Sequence, residues 1–187
     1  MARTPLVAPD TYFARGDAFS PGRAVVLVVA FWAGLVAIGL PARVLDEFGV
    51  AVGLQSLAIS SLRTTLLYWL LPSTILYVLG YLTSGIDSPV SSLILGAWAL
   101  VPALAARVLW ILLLYGAVLL DLEPLFVPAG IEYVLSIVFI LLACGWAATI
   151  WRVGLHHEFG LTRSTATSVA VLTAGLCAGL FVVSLGV

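Results

Sequence analysis

Few residues in this chain could do chemistry. Arg107 is the one charge well inside an apolar run, with Trp110 three residues beyond it and Pro102 five before it. An arginine near the centre of a membrane-spanning helix costs about 2.5–3.5 kcal/mol on the insertion scale, so something must offset it. On a regular helix Arg107 falls about 20° from Gly96 and about 40° from Ala103. It therefore shares a small-residue face and is expected to point inward, where Trp110 could stack on its guanidinium. Two readings stand side by side. One is an anion or headgroup site built on Arg107, Trp110 and Pro102. The other is an arginine that snorkels to the outer interface or pairs with Asp121, Glu123 or Glu132.

The run His156-His157-Glu158 looks at first like a metal cluster, but adjacent histidines do not share a helix face and the H-E-x-x-H spacing is absent. No fourth ligand lies nearby, so the run reads as a solvated or headgroup-facing inner loop. With Arg152 and Arg163 on either side, it offers an inner contact surface. The apolar runs contain neither G-x-S-x-G nor paired carboxylates or histidines. No catalytic residue, metal or cofactor is therefore expected.

The elements that must position these groups follow from composition. Of 187 residues 63% are hydrophobic and 9% charged, with a mean hydropathy of +1.19. A soluble domain carries about 25% charged residues. A soluble globular fold is excluded, and the lipid bilayer is the first partner implied. The chain has 8 Arg, no Lys and 9 acidic residues, a net charge of -1, so no basic face exists for nucleic acid. Cys144 and Cys177 lie in apolar runs and behave as small hydrophobes. The first 20 residues contain no apolar stretch of signal-peptide length, so the amino terminus is expected to be retained.

Charged residues mark where the chain meets water, and the intervals match the about 20 residues that a spanning helix needs. The expected architecture is a single all-α membrane domain, 1–187, built as a five-helix bundle. Its parts are an inner tail at 1–22 and spans at about 24–42, 64–83, 90–120, 133–151 and 164–187. The third is read as one long pass, because splitting it at Arg107 leaves no residues for a turn. Five passes put the termini on opposite sides. Arginine counts near span ends, five against two, then place the amino terminus inside and the carboxyl terminus outside.

The joints carry their own signals. Ser20-Pro21-Gly22 should start the first span, and Thr162 or Ser164 should cap the last after a Glu158-Phe159-Gly160-Leu161 turn. Leu54, Leu57, Ala58, Ser61 and Leu62 recur at helical spacing, so this piece either lies in the interface or extends the second helix. Tyr12 and Phe13 suit the headgroup level, or else the segment is a frayed tail. Small residues mark packing faces: Gly96, Ala99 and Ala103 in the third span, and the G-x-x-x-G pair Gly175 and Gly179 in the fifth. That pair reads either as a homodimer seam or as packing within one chain. Pro72 and Pro102 should bend their helices.

Several of these features together resemble the YIP domain family, named after Ypt/Rab-interacting proteins. The likeness lies in Pro9-x-x-x-Phe13 ahead of a first span near Ser20-Pro21, and in the run Gly96-Ala97-Trp98-Ala99-Leu100-Val101-Pro102. It extends to Trp151-Arg152-Val153-Gly154-Leu155 and to Gly160-Leu161-Thr162 with Ala166. The resemblance implies a non-enzymatic five-span protein that works through other proteins or through bilayer shape, as a scaffold or trafficking-like adaptor. The short segment before the first span is similar to that of prokaryotic members, and Rab binding is not carried over. The absence of Lys also favours a prokaryotic cell membrane. A second class is a small transporter or channel component built on Arg107 and the proline-kinked second and third spans. An intramembrane enzyme, the third class, would need a polar pocket with at least two convergent catalytic groups.

Overall fold

The structure, a computed structural model, describes residues 9–14, 19–44, 50–84, 88–120 and 130–185. Seven helices follow one another among the described residues: α1 (Pro9–Phe13), α2 (Pro21–Val44), α3 (Val50–Ser84), α4 (Pro89–Trp98), α5 (Leu100–Leu119), α6 (Ile131–Glu158) and α7 (Arg163–Leu185). There is no strand among the described residues. Five stretches are long and apolar enough to cross a membrane: Pro21–Leu40, Gly53–Thr83, Pro89–Ala117, Ile131–Glu158 and Arg163–Ser184. This all-helical bundle is compatible with an integral membrane protein, because each helix satisfies its own backbone in hydrocarbon.

The third span departs from the expected single helix. Pro102 has no N–H to give the Trp98 carbonyl, and the chain tightens into a turn at Ala99, whose N–H bonds the Gly96 carbonyl at 3.1 Å. The Leu95 carbonyl thereby loses its own i+4 donor. The Trp151 indole of α6 fills the vacancy, donating to Leu95 O at 3.2 Å. The pass remains one crossing, made of α4 and α5 in series.

Two other indoles brace the bundle in the same way. Trp69 of α3 donates to Leu93 O at 2.8 Å, and Trp32 of α2 donates to Ala58 O at 3.0 Å. The second bond ties down the start of α3, so the amphipathic piece 54–62 extends the second spanning helix. Close approach is set by particular glycines. A Cβ on Gly96 would run into the Ser73 hydroxyl and come within 3.2 Å of the Trp69 carbonyl, and one on Gly154 would strike the Leu95 side chain. Leu95 is 0% exposed and has nowhere to retreat. The core therefore centres on α4, clamped between α3 and α6.

Three further expectations need correction. Gly175 and Gly179 do not pack within the chain: both are exposed, with open space around an added Cβ, while Ala174 and Ala178 beside them are buried. The glycine stripe faces outward because α7 turns its alanine and Cys177 face to the core. His156, His157 and Glu158 are the last turn of α6, not a loop. The helix runs on because nothing stops it before Gly160, whose φ of +63° supplies the left-handed ending. Segment 9–13 is neither a frayed tail nor simply a headgroup anchor. It forms a helix that docks Phe13, 3% exposed, against the bundle. Thr162, as expected, caps the last helix, accepting from Thr165 N at 3.2 Å.

These contacts predict opposite outcomes for similar substitutions. Gly154→Ala should cost roughly 1–3 kcal/mol by overpacking against Leu95. Gly175→Ala and Gly179→Ala should each raise helix stability by about 0.5–1 kcal/mol. Unfolding in mixed micelles, compared across the three variants, checks this.

Candidate functional site

Between α2, α3, α5, α6 and α7 lies a cavity of about 380 Å³. It occupies the half of the bundle away from α1. Its walls come from the later part of α2 (Phe31, Leu35, Ile38), the earlier part of α3 and the Ala99–Ile111 stretch. The early half of α6 and the Phe181 end of α7 complete them. Pockets of this size, mostly apolar with a few polar groups, are typical of small-molecule sites.

The polar groups are not spread evenly. Ser60, Ser61, Thr64 and Ser136 line the cavity from the half of their helices that lies away from α1, and Arg107 lines it just past the midpoint of the pass formed by α4 and α5. Pro72, Ala99, Ala147, Trp151 and Cys177 line it deeper, near the middle of the bundle. Tyr68 stands between the two zones, stacked on Phe181 with ring centroids 4.3 Å apart. The Arg107 guanidinium is within electrostatic reach of the Tyr68 ring hydroxyl. The cavity thus has a polar mouth and an apolar floor.

Several of these groups have hydrogen-bonding capacity to spare. Ser60 Oγ donates to Leu57 O at 3.0 Å and Thr64 Oγ1 to Ser60 O at 3.0 Å, the usual outlet for hydroxyls on a membrane helix. The side chains of Ser61, Tyr68, Ser136 and Arg107 have no hydrogen-bond or ion-pair partner among the described residues. Glu132, one expected partner of Arg107, makes no ion pair among them. Asp121 and Glu123 lie outside the described residues. Arg107 is exposed, sitting about 18 Å of helix before the end of α5. Among the described residues it is the sole charged one of the lining.

The other expected members of this site go elsewhere. Trp110 lines the cavity but does not stack on Arg107. It is buried against Phe139 of α6, with rings 5.9 Å apart at 61°, because its side chain turns toward the core while Arg107 turns toward the opening. Pro102 is fully buried and not part of the lining; it acts through the turn at Ala99. Ala99 and Ala103 line the cavity, whereas Gly96 packs on α3. Sequence reasoning missed the hydroxyls and Tyr68. The available signal was the spacing Leu57, Ser60, Ser61, Thr64, Tyr68 and Pro72, one helical face that carries all the polar residues of the lining contributed by α3.

The residues expected at the inner surface form a second, separate cluster. His156 Nδ1 donates to Leu161 O at 2.7 Å, which fixes that proton and braces the α6–α7 joint. Glu158 accepts from Ser91 Oγ at 3.0 Å, and Ser88 caps α4 through Ser91 N. Arg23 donates to Tyr12 Oη at 2.8 Å, holding α1 in place. Arg152, His157 and Arg163 are exposed there. No group of three or more His, Cys, Asp or Glu able to hold a metal occurs among the described residues.

No family model, curated protein or solved structure matches the chain. The cavity is therefore interpreted from its own chemistry.

If Arg107 serves a ligand rather than the fold, Arg107→Leu should leave the bundle intact and raise its stability by up to about 3 kcal/mol in lipid nanodiscs, since it removes an unpaired charge. A loss of stability would reveal a structural partner for the guanidinium.

Proposed function

We propose that the chain is a small, non-enzymatic, multi-pass protein of a prokaryotic cell membrane that admits an anion to the cavity at Arg107, as a transporter or channel component. The amino terminus lies inside and the carboxyl terminus outside, so the polar mouth opens to the outer face. One observation carries this reading: a cation with no partner among the described residues and several hydroxyls gather on the lining of one cavity. Pro72 contributes by leaving the Tyr68 carbonyl without its helical donor on the face that lines the cavity. Among the described residues the lining offers no histidine or carboxylate.

The second reading is the YIP-like scaffold, acting through partner proteins at the inner surface. A different observation favours it. The α1 end is built as an ordered polar platform, with Tyr12 and Arg23 bonded, Glu158 held by Ser91, and Arg152, His157 and Arg163 left outward. On this reading the outward Gly175 and Gly179 face serves contact with another membrane helix, from a second copy or a different protein.

Flux separates the two. The full chain in liposomes should move at least one of acetate, chloride or phosphate faster than empty liposomes, and Arg107→Gln should abolish the excess. No movement of any of the three, together with crosslinking to a second protein in native membranes, would favour the scaffold.

A further inference from the structure

The shape and polarity of the cavity specify more than an anion. We infer that its ligand is an amphiphile with one negative charge and one hydrocarbon chain, a medium-chain carboxylate taken from the outer leaflet. This rests on the cavity reading proposed above and deepens it.

Three observations define the ligand class. The first is charge. Arg107 is the sole charged residue of the lining among the described residues, and one cation there matches one negative charge. A phosphate monoester carries about −1.5 to −2 near neutral pH and would be left half-compensated. A carboxylate matches the charge and also the planar fork of the guanidinium, which accepts two parallel hydrogen bonds.

The second is the gradient. Beyond the mouth the lining turns to Pro72, Ala147, Trp151, Cys177 and Phe181, with the Tyr68 hydroxyl as the last spare donor. A small hydrophilic anion would gain nothing from this floor. A hydrocarbon tail fills it, at about 25 cal/mol for each Å² withdrawn from water.

The third is size. A water molecule occupies about 30 Å³ of liquid, so a cavity of 380 Å³ holds about a dozen groups of that size. That suits a single chain of about twelve carbons. With the carboxylate held at Arg107, whose side chain is exposed, the tail runs toward the Ala99 turn.

The test uses the intrinsic fluorescence of the full chain in phosphatidylcholine nanodiscs, because Trp110 and Trp151 both border the cavity and bromine quenches indoles on contact. Titration with 12-bromododecanoate should give saturable quenching that unlabelled dodecanoate reverses and acetate does not. Arg107→Gln should weaken that binding at least tenfold, with Arg107→Lys in between. The neutral 12-bromododecanol should bind at least tenfold less tightly than the acid. Equal binding of acid and alcohol, or unchanged binding by Arg107→Gln, would overturn the assignment of a carboxylate headgroup. If no saturable quenching occurs while liposome flux of small anions persists, the amphiphile is wrong and the anion cavity stands. If both quenching and flux are absent, the two fall together.

Discussion

A carbonyl without a donor has no water to turn to inside hydrocarbon, and that constraint organises this bundle. Pro102 forces the third span to tighten at Ala99, and the tightening frees the Leu95 carbonyl. Trp151 answers it from α6. For the indole to reach, α4 and α6 must lie close, and they do so because Gly154 has no side chain where Leu95 sits. Indole-to-carbonyl bonds also join Trp69 to Leu93 and Trp32 to Ala58 across neighbouring helices. Directional bonds of this kind hold helices together where the hydrophobic effect cannot, lipid tails being as apolar as leucine.

The consequence for the site is geometric. At the α4 level, near α1, Gly96 and Gly154 bring three helices together, and farther along Gly34 and Gly39 hold α2 against Leu104 and Leu57. Away from that clamp small residues continue along α5 at Ala103 and Ala106, and there they leave space instead of closing it. The cavity is thus the counterpart of the clamp. Arg107 sits one turn beyond Ala103, so the guanidinium arrives at the opening without leaving its helix. The Trp98 Nε1 is buried with no hydrogen-bond partner among the described residues, close to the ring of Tyr12.

Much of the architecture could be read from charge spacing, because burying an unpaired charge in lipid is costly enough for arginines and acids to mark span ends. Thus α2 begins at Pro21 and the cap at Thr162 falls where the sequence puts it. Arg107 was legible for the same reason. Its surroundings were not. Ser60, Ser61, Thr64 and Ser136 look like ordinary hydroxyls on a membrane helix, which can bond their own carbonyls. Only the placement of neighbouring helices tells which of them face a void. The glycine pair at 175 and 179 illustrates the limit from the other direction. A G-x-x-x-G spacing defines a face, and the direction of that face depends on partners that the motif does not name. Likewise Pro102 advertised a bend, while the particular turn at Ala99 depended on Trp151, more than fifty residues away.

The central claim is that a water-accessible cavity penetrates the bundle beside Arg107 from the outer face. It is most directly tested by placing a cysteine at Ala106, in a background with Cys144 and Cys177 replaced by alanine, and adding a charged, membrane-impermeant thiol reagent to intact cells. Rapid labelling at 106 from outside, with none at a control cysteine placed at the outward-facing Leu109, is the expected result. A cysteine at 106 that resists the reagent from outside, or reacts only after the inner face is exposed, would contradict the account.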